Sequence, residues 1–234
     1  MKRTPQQFKE PRYLTDKWFS VFTLGHDEPG IRNWLDDGEK NQGLAPGYTE
    51  HSVEYYINEW RYRGKLVPDT GADAAFGCSY TFGYGVSTCW AELIGAVNCG
   101  INGASNDQIT RTAISYCKTF NPKNIYVLWS FKERREHVQE SGLYKFRNLS
   151  NEAIKQELKN PTWISSYASL MNDQADEYNY QKNKILLESF CTTNNINLHQ
   201  STISTLPKET YPLARDSDHP GEEWHINMAG IICQ

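Results

Sequence analysis

Residues 124–129 read Asn-Ile-Tyr-Val-Leu-Trp, a near-continuous apolar run. A run of this length, rich in branched and aromatic side chains, is typical of a β-strand that is buried on both faces. Strands of that kind occur mainly in parallel sheets, because helices cover such sheets on both sides. The stretch therefore predicts an α/β protein whose sheet includes residues 124–129.

Short apolar runs alternate with helical patterns on both sides of this stretch, from residue 71 onward. A helix that precedes it has an apolar face formed by Ile109, Ala113, Ile114 and Cys117. The other predicted elements are strands at residues 72–78, 97–99 and 196–199, and helices at residues 87–96, 165–190 and 225–233. Strands alternating with helices predict a three-layer α/β/α sandwich on a parallel sheet.

The loops that follow the predicted strands are the places to look for a site. In open α/β sheets, ligands bind outside the carboxyl ends of the strands. The loops after Cys78, Cys99, Trp129 and His199 would all lie at that edge. Residues 131–161 show no clear apolar face until their end, and we expect them to form a lid or excursion there.

Residues 1–66 differ from the rest of the chain in being polar and aromatic, with several Pro-Gly and Asp-Gly turn signals. Residues 53–58 alone have the pattern of a strand. Because the apolar content is too thin for a separate core, we expect residues 1–66 to pack on or cap a main domain formed by residues 67–234.

Composition restricts the partners of the protein. The formal net charge of −4 disfavours nucleic acid, because affinity for phosphate backbones comes from clustered Lys and Arg. No apolar run approaches the roughly 18 residues of a membrane span, and no signal peptide follows Met1, so a cytoplasmic location without membrane contact is expected. The six cysteines include no CxxC pair, which favours reduced, buried thiols.

The first candidate for chemistry is Ser79, which lies just after a predicted strand in the stretch Phe76–Gly83. A serine in such a turn can project its hydroxyl above the sheet, close to the free N–H groups of a helix N-terminus. An ordinary turn or N-cap serine is the alternative. Thr81 replaces the second glycine of a GxSxG nucleophile elbow, so that motif is absent.

The second candidate is the glycine-rich loop at residues 98–107, Asn-Cys-Gly-Ile-Asn-Gly-Ala-Ser-Asn-Asp. It matches neither the GxGxxG fingerprint nor the P-loop, which disfavours phosphate and dinucleotide binding. Two interpretations stay open: a structural turn, or a backbone N–H group directed at an oxyanion.

The third candidate is the segment Ala214–Gly221, in which Asp216 and His219 are three residues apart. At that spacing the carboxylate can orient the imidazole and leave Nε2 free to accept a proton. A surface turn is one alternative. A metal site formed by Asp216, Asp218, His219 and His225 is another, although it lacks a standard ligand spacing.

Taken together, Gly-x-Ser-x-Thr, Asn-x-Gly-x-x-Gly and Asp-x-x-His-Pro resemble the motifs of the SGNH (GDSL-type) hydrolase family, over residues 71–234. The resemblance implies a flavodoxin-like parallel sheet and a serine esterase that needs no cofactor. It implies Ser79 as nucleophile, His219 as general base and Asp216 as its partner, with N–H groups of Ser79 and Gly103 in an oxyanion hole. Cys78 stands where the family usually has Asp.

One block of the family pattern is missing. After the third strand the family carries Gly-x-Asn-Asp, whose Asn donates to the oxyanion, whereas this chain has Leu-Trp-Ser-Phe-Lys-Glu-Arg-Arg-Glu at residues 128–136. Ser130 or Arg134 could replace that donor. Loss of one such donor costs about 2.7–4 kcal/mol of transition-state stabilisation. The sequences at residues 128–136 and 58–64 are similar to variants found in tailed-phage genomes. This similarity would place the protein in a host cytoplasm or virion.

The sequence thus predicts hydrolysis of a small-molecule ester, with a short acyl or acetyl group and a carbohydrate as the favoured alcohol. The alternative is a weakened SGNH-like domain that binds glycans or has a structural role in a phage. Tyr80, Phe82, Tyr84 and Trp224 could line a pocket or serve in packing. Oligomeric state, and hydrolysis as against acyl transfer, stay open.

Two further groups of charged residues stand out in the sequence. Arg61 and Arg63 alternate as on a strand face, where they could bind an acidic substrate group or pair with nearby acids. The residues Glu133–Glu136 are interpreted as the solvated start of a helix with internal ion pairs.

Overall fold

A computed structural model of the protein describes residues 29–34, 53–138, 146–149 and 172–234. Eight strands and five α-helices lie within these residues, together with a 3₁₀ turn at Lys208–Thr210. The strands are β1 (Gly30–Trp34), β2 (Val53–Ile57), β3 (Ala74–Phe76), β4 (Val97–Asn98), β5 (Asn124–Trp129), β6 (Arg135–Val138), β7 (Phe146–Leu149) and β8 (Asn197–Thr202). The helices are α1 (Ser79–Phe82), α2 (Trp90–Leu93), α3 (Asn106–Phe120), α4 (Asp173–Thr193) and α5 (Glu222–Ile232).

The central sheet contains four parallel strands in the order β4-β3-β5-β8. This order begins with the second strand, continues with the first and ends with the third and fourth, as in the flavodoxin-like arrangement. Helix α3 packs on α4 and helix α2 packs on α5, and these two pairs form the layers on either side of the sheet. The predicted α/β fold with a parallel sheet is confirmed.

The core is densest around β3 and β5. Ala74, Ala75 and Phe76 of β3 are fully buried. In β5 the side chains from Val127 to Trp129 are buried as completely as those of β3, which agrees with the apolar run that predicted a strand covered on both faces.

Several element boundaries differ from the predictions. The helix expected at residues 87–96 is a single turn, because a capping box between Cys89 and Glu92 starts it late and the left-handed Gly95 follows its end. Helix α4 begins at Asp173, where Asn172 is the N-cap and accepts a hydrogen bond from the N–H of Ala175. The earlier part of the predicted helix lies outside the described residues.

The segment after β5 contains a strand where a helix start was expected. Strand β6 begins at Arg135 and pairs antiparallel with β7. Glu136 accepts hydrogen bonds from Arg111 of α3, and Arg135 donates to Asp176 of α4 at 2.5 Å. Since these charges pair with other elements and not with each other, the interpretation of residues 133–136 as a helix start was wrong. Residues 139–145 and 150–161 of the predicted lid lie outside the described residues.

Strands β1 and β2 form a separate antiparallel pair. The side chains of Val53, Tyr55 and Ile57 are buried and pack on Phe82 of α1. Strand β2 therefore lies against the segment that follows β3. The division of the chain at residue 66 stays a prediction.

No helix among the described residues is long and apolar enough to cross a lipid bilayer. All six cysteines are free thiols, and all except Cys233 are buried.

The glycine at the end of β3 allows α1 to fold back closely on β5. A Cβ atom at Gly77 would lie 2.0 Å from Oγ1 of Thr81 and 2.9 Å from the carbonyl oxygen of Leu128. We expect Gly77→Ala to lower the free energy of unfolding by about 1–3 kcal/mol, because overpacking forces the backbone apart. Urea denaturation followed by tryptophan fluorescence measures this change.

Gly230→Ala is the matched control. Gly230 lies within α5, and no atom is within 4 Å of the position of an added Cβ. We expect this substitution to raise the free energy of unfolding by about 0.5–1 kcal/mol, because alanine is the better helix former. Equal effects of the two substitutions would contradict the packing explanation.

Candidate active site

Ser79 is the first residue of α1, and two residues separate it from the end of β3. The loop after β4 packs directly on this turn, because a Cβ at Gly100 would lie only 2.4 Å from the backbone N of Phe82. Asn98 stabilises the end of α1 by donating from Nδ2 to the carbonyl oxygen of Thr81 at 3.0 Å. The turn that contains Ser79 is thus held by the loop after β4, at the carboxyl edge of the sheet. Ser79 is 6 % exposed.

His219 connects Ser79 with Asp216. Nε2 of His219 lies 2.9 Å from Oγ of Ser79, a contact between residues 140 positions apart in the chain. Nδ1 of the same ring is hydrogen-bonded to Oδ2 of Asp216. The three side chains that the sequence singled out therefore form one continuous line of hydrogen bonds.

Asp216 also organises its own loop. Its Oδ1 accepts hydrogen bonds from the backbone N–H groups of Asp218 at 3.0 Å and His219 at 2.9 Å. Ser217, between Asp216 and Asp218, has a φ of 57°, a left-handed conformation that lets the chain turn around the carboxylate. The loop is closed by a hydrogen bond of 2.8 Å from the N–H of Ala214 to the carbonyl of His219.

The carboxylate of Asp216 is held in its ionised form. Burial by itself raises the pKa of this group, but the hydrogen bonds from the ring and backbone of His219 and from the backbone of Asp218 outweigh burial and lower the pKa below its usual value. A carboxylate in this state can stabilise a positive charge that forms on the His219 ring.

Aromatic side chains surround the imidazole of His219. The ring of Tyr84 lies 4.9 Å from it and that of Tyr80 5.8 Å, measured between centroids. Tyr80 in turn contacts Trp224 edge-on. These contacts restrict the orientation of the imidazole and shield its hydrogen bonds from water. Three of the four aromatic residues suggested as pocket-lining therefore lie beside His219 or Tyr80, while Phe82 packs against β2.

The backbone N–H groups of Ser79 and Gly103 have no hydrogen-bond partner among the described residues. Gly103 has a φ of 74°, and no atom lies within 4 Å of a Cβ placed on it. The loop is attached to the end of β3 by a 3.0 Å hydrogen bond from the N–H of Ile101 to the carbonyl of Gly77. Both groups are available as donors to a bound ligand.

The two suggested replacements for the missing asparagine contact each other. Nη1 of Arg134 donates to Oγ of Ser130 at 3.3 Å, and the guanidinium lies 4.7 Å from the centroid of the Phe131 ring. Ser130 is buried at the end of β5.

Asn106 was not identified from the sequence, although it holds Ser130 in place. Its Oδ1 accepts from the N–H of Ser130 at 2.9 Å, and its Nδ2 donates to the carbonyls of Ser130 and Phe131 at 3.3 Å. Asn106 was visible in the sequence only as part of the glycine-rich stretch, and its contacts with residues 24 and 25 positions later depend on the sheet order.

A second set of residues that the sequence analysis did not identify supports the Asp216 loop, which is formed by residues 214–221. These residues come from β2 and from Gly85, earlier in the chain. The hydroxyl of Tyr55 in β2 accepts a hydrogen bond of 2.6 Å from the N–H of Gly85. The carbonyl of Gly85 accepts from the backbone and side chain of Arg215, the residue before Asp216. A Cβ at Gly85 would lie 2.9 Å from the Cβ of Ala214. Strand β2 is thus connected to the Asp216 loop through a single glycine.

Arg63 stabilises the same turn from inside the core. Its buried guanidinium donates to the carbonyls of Gly83, Val86 and Ser87 and pairs with Glu92 at 3.4 Å. Of its two interpretations, pairing with nearby acids agrees with the contact to Glu92. Arg61 has a φ of 64° in the turn after β2, so the two arginines do not share a strand face.

The residues of the metal alternative have separate partners. Asp218 pairs with Lys208 at 2.6 Å, and Nδ1 of His225 accepts from the N–H of Trp90 at 3.2 Å. Burial is the main cause that lowers the pKa of His225 to about 3, so this ring is neutral. In the part of the chain that the structure describes, no three His, Cys, Asp or Glu side chains are grouped to hold a metal ion.

His199 lies within β8 and stacks on Tyr126 with the ring centroids 4.9 Å apart. His26 and His51 lie outside the described residues, and of His137 only the backbone is described, in β6.

Comparison with known proteins identifies no family. No protein-family model matches the chain, and no curated protein matches its sequence. Among solved structures, the chain is similar to a protein from Bacteroides fragilis described as a putative acylhydrolase, with 16 % identity over 73 % of this chain and 89 % of the other and a TM-score of 0.33. This likeness is too remote to carry a functional argument.

The contact between β2 and Gly85 leads to a stability prediction. Tyr55→Phe removes only the hydroxyl that accepts from the N–H of Gly85. We expect a loss of about 1–3 kcal/mol in the free energy of unfolding, because a buried N–H is left without a partner. Tyr56→Phe is the control, since Tyr56 is 45 % exposed on the same strand, and it should change stability by less than about 0.5 kcal/mol. Chemical denaturation of the three proteins decides between these outcomes.

The lowered pKa of Asp216 leads to a prediction about acid stability. Because the pKa is lower in the folded state than the value of about 3.9 for an unfolded chain, the carboxylate contributes stability above that value. This contribution is lost as the pH falls through the folded-state pKa. We therefore expect the difference in unfolding free energy between the wild type and Asp216→Asn to be constant near neutrality and to shrink below about pH 4.

Asp218→Asn is the matched control for the acid measurement. Its side chain is 70 % exposed and lies two residues from Asp216. The difference in unfolding free energy between Asp218→Asn and the wild type should be small at every pH tested. A difference for Asp216→Asn that grows on acidification would contradict the assignment of a stabilised carboxylate.

Proposed function

We propose that the protein is a serine acyl hydrolase of the SGNH type, which cleaves a carboxylic ester with Ser79, His219 and Asp216. The observation that carries this proposal is the hydrogen-bonded line from Oγ of Ser79 through both nitrogens of His219 to the buried carboxylate of Asp216. A nucleophile, a base and a group that orients the base are the minimum requirement for acyl transfer by serine.

The reaction proceeds in two halves. Oγ of Ser79 attacks the ester carbonyl while Nε2 of His219 takes the hydroxyl proton. The tetrahedral intermediate collapses as His219 returns that proton to the leaving alcohol, and the acyl group stays on Ser79. Water then attacks the acyl-enzyme with His219 again accepting a proton, which releases the acid and restores the serine. Asp216 stabilises the imidazolium in both halves, and these steps need no cofactor.

The oxyanion would be stabilised by three donors. Two are the N–H groups of Ser79 and Gly103, which have no other partner among the described residues. The third is the hydroxyl of Ser130: its oxygen accepts from Arg134, so its hydrogen is free to be donated and the guanidinium polarises the O–H bond. One such donor contributes about 2.7–4 kcal/mol to transition-state stabilisation. This arrangement would replace the asparagine that the SGNH pattern lacks here.

The favoured substrates are short acyl or acetyl esters. The rings beside His219 are those of Tyr80 and Tyr84, which suit a polar alcohol such as a sugar better than a long lipid chain. The phage origin implied by the resemblance at residues 128–136 stays a prediction.

The proposal is tested by covalent labelling with a fluorophosphonate probe and by turnover of p-nitrophenyl acetate. We expect one adduct in the wild type by intact mass spectrometry and none in Ser79→Ala or His219→Ala. Turnover should fall by about four to six orders of magnitude in both variants, because members of a triad act as a unit.

Ser189→Ala serves as the control, since Ser189 is an exposed serine on α4. It should keep both the adduct and the turnover. A folded wild type that forms no adduct, or a Ser79→Ala variant with wild-type turnover, would overturn the proposal. The first of these results would favour the binding or structural role instead.

A further inference from the structure

A cavity of about 850 Å³ lies beside the proposed nucleophile. Tyr80, which follows Ser79 in the chain, and Ser130, a proposed oxyanion donor, both form part of its wall. The rest of the wall comes from the segment after β5, the start of α4 and residues 202–209. Since Tyr80 is the chain neighbour of Ser79 and lines this wall, a substrate held by Ser79 can extend into the cavity.

The described wall of the cavity is strongly acidic. It contains two lysines and five carboxylates, Glu133, Asp173, Asp176, Glu177 and Glu209. Both lysines are engaged, Lys132 with Glu177 at 2.5 Å and Lys208 with Asp218 at 2.6 Å.

Three of the wall carboxylates have no ion-pair partner among the described residues. Asp176 is paired with Arg135, which leaves Glu133, Asp173 and Glu209. The net charge of the described wall is therefore negative.

Tyr80 adds a polar group without a partner. Its ring is held edge-on by Phe131, His219 and Trp224, and the residue is 6 % exposed. Its hydroxyl has no hydrogen bond with any described residue. Burial is the main cause that raises the pKa of Tyr80, so the hydroxyl is protonated, and the charges of Asp218 and Glu209 act in the same direction. Because Tyr80 lines the cavity, its hydroxyl can form a hydrogen bond with a ligand bound there.

Aromatic rings in the same wall already attract cations. The ammonium of Lys132 lies 5.3 Å from the centroid of the Tyr180 ring, and Phe131 is covered by Arg134. Carboxylates combined with aromatic faces are the usual means of recognising ammonium groups.

We propose that this acidic cavity binds a positively charged group of the substrate, so that the protein prefers esters of amino alcohols or amino sugars over neutral and anionic esters. The ammonium lies among Glu133, Asp173 and Glu209, and the hydroxyl of Tyr80 contacts the ester end of the ligand. The role of the cavity in turnover depends on the function proposed above, but its preference for cations is a property of binding alone.

The test measures binding to the Ser79→Ala protein, in which turnover is blocked. Isothermal titration compares acetylcholine with 3,3-dimethylbutyl acetate, its uncharged isostere. We expect acetylcholine to bind about tenfold more tightly at low ionic strength, because three carboxylates face the ammonium. The ratio of the two affinities should fall in 0.5 M NaCl, where charges are screened within a few ångströms.

Substitutions in the wall should move the ratio in both directions. Asp173→Asn combined with Glu209→Gln should bring it close to one, and Lys132→Gln should increase it. Tyr80→Phe should weaken both ligands by a similar factor, because the lost hydroxyl contacts the ester and not the charge. Glu59→Gln, a change of an exposed carboxylate that does not line the cavity, is the control and should leave the ratio unchanged.

Equal affinities for the two ligands, or a ratio that the wall substitutions leave unchanged, would overturn this inference. Failure of the proposed function is a separate result: the wild type would form no fluorophosphonate adduct, while the preference for acetylcholine in binding would persist.

Discussion

In the central sheet β3 is hydrogen-bonded to β4 on one side and to β5 on the other, and all three strands run in the same direction. The segments that follow them therefore leave the sheet at one edge. This places the Ser79 turn between the glycine-rich loop and Ser130. Because Gly77 and Gly100 have no side chains, the three segments approach one another closely.

The Asp216 loop completes the site from the far end of the chain and has two independent supports. One is internal, since the carboxylate of Asp216 accepts from two backbone N–H groups of its own turn and from the ring of His219. The other comes from β2, where Tyr55 binds Gly85 and Gly85 binds Arg215. Residues before the α/β core thus take part in positioning the proposed base.

Two groups of carboxylates lie near Ser79 and have different environments. Asp216 is buried and fully hydrogen-bonded, so it fixes an orientation and a charge inside the protein. Glu133, Asp173 and Glu209 face the cavity and have no cationic partner in the described chain. The first arrangement serves the chemistry of the imidazole, while the second is free to act on a ligand. This separation allows substrate preference to change without loss of the proposed triad.

The amino-acid sequence alone determined the α/β class and the strand at residues 124–129, because burial on both faces of a sheet demands a continuous apolar run. It also singled out Ser79, Asp216 and His219, because each lies in a short segment whose residue types and spacing are set locally. Only the tertiary structure decided that Asn106 holds Ser130, that Tyr55 supports the Asp216 loop, and that charges from β6 pair with α3 and α4. Those contacts join residues 24 to 41 positions apart, and their pairing depends on strand order and helix packing, which leave no periodic signal in a linear sequence.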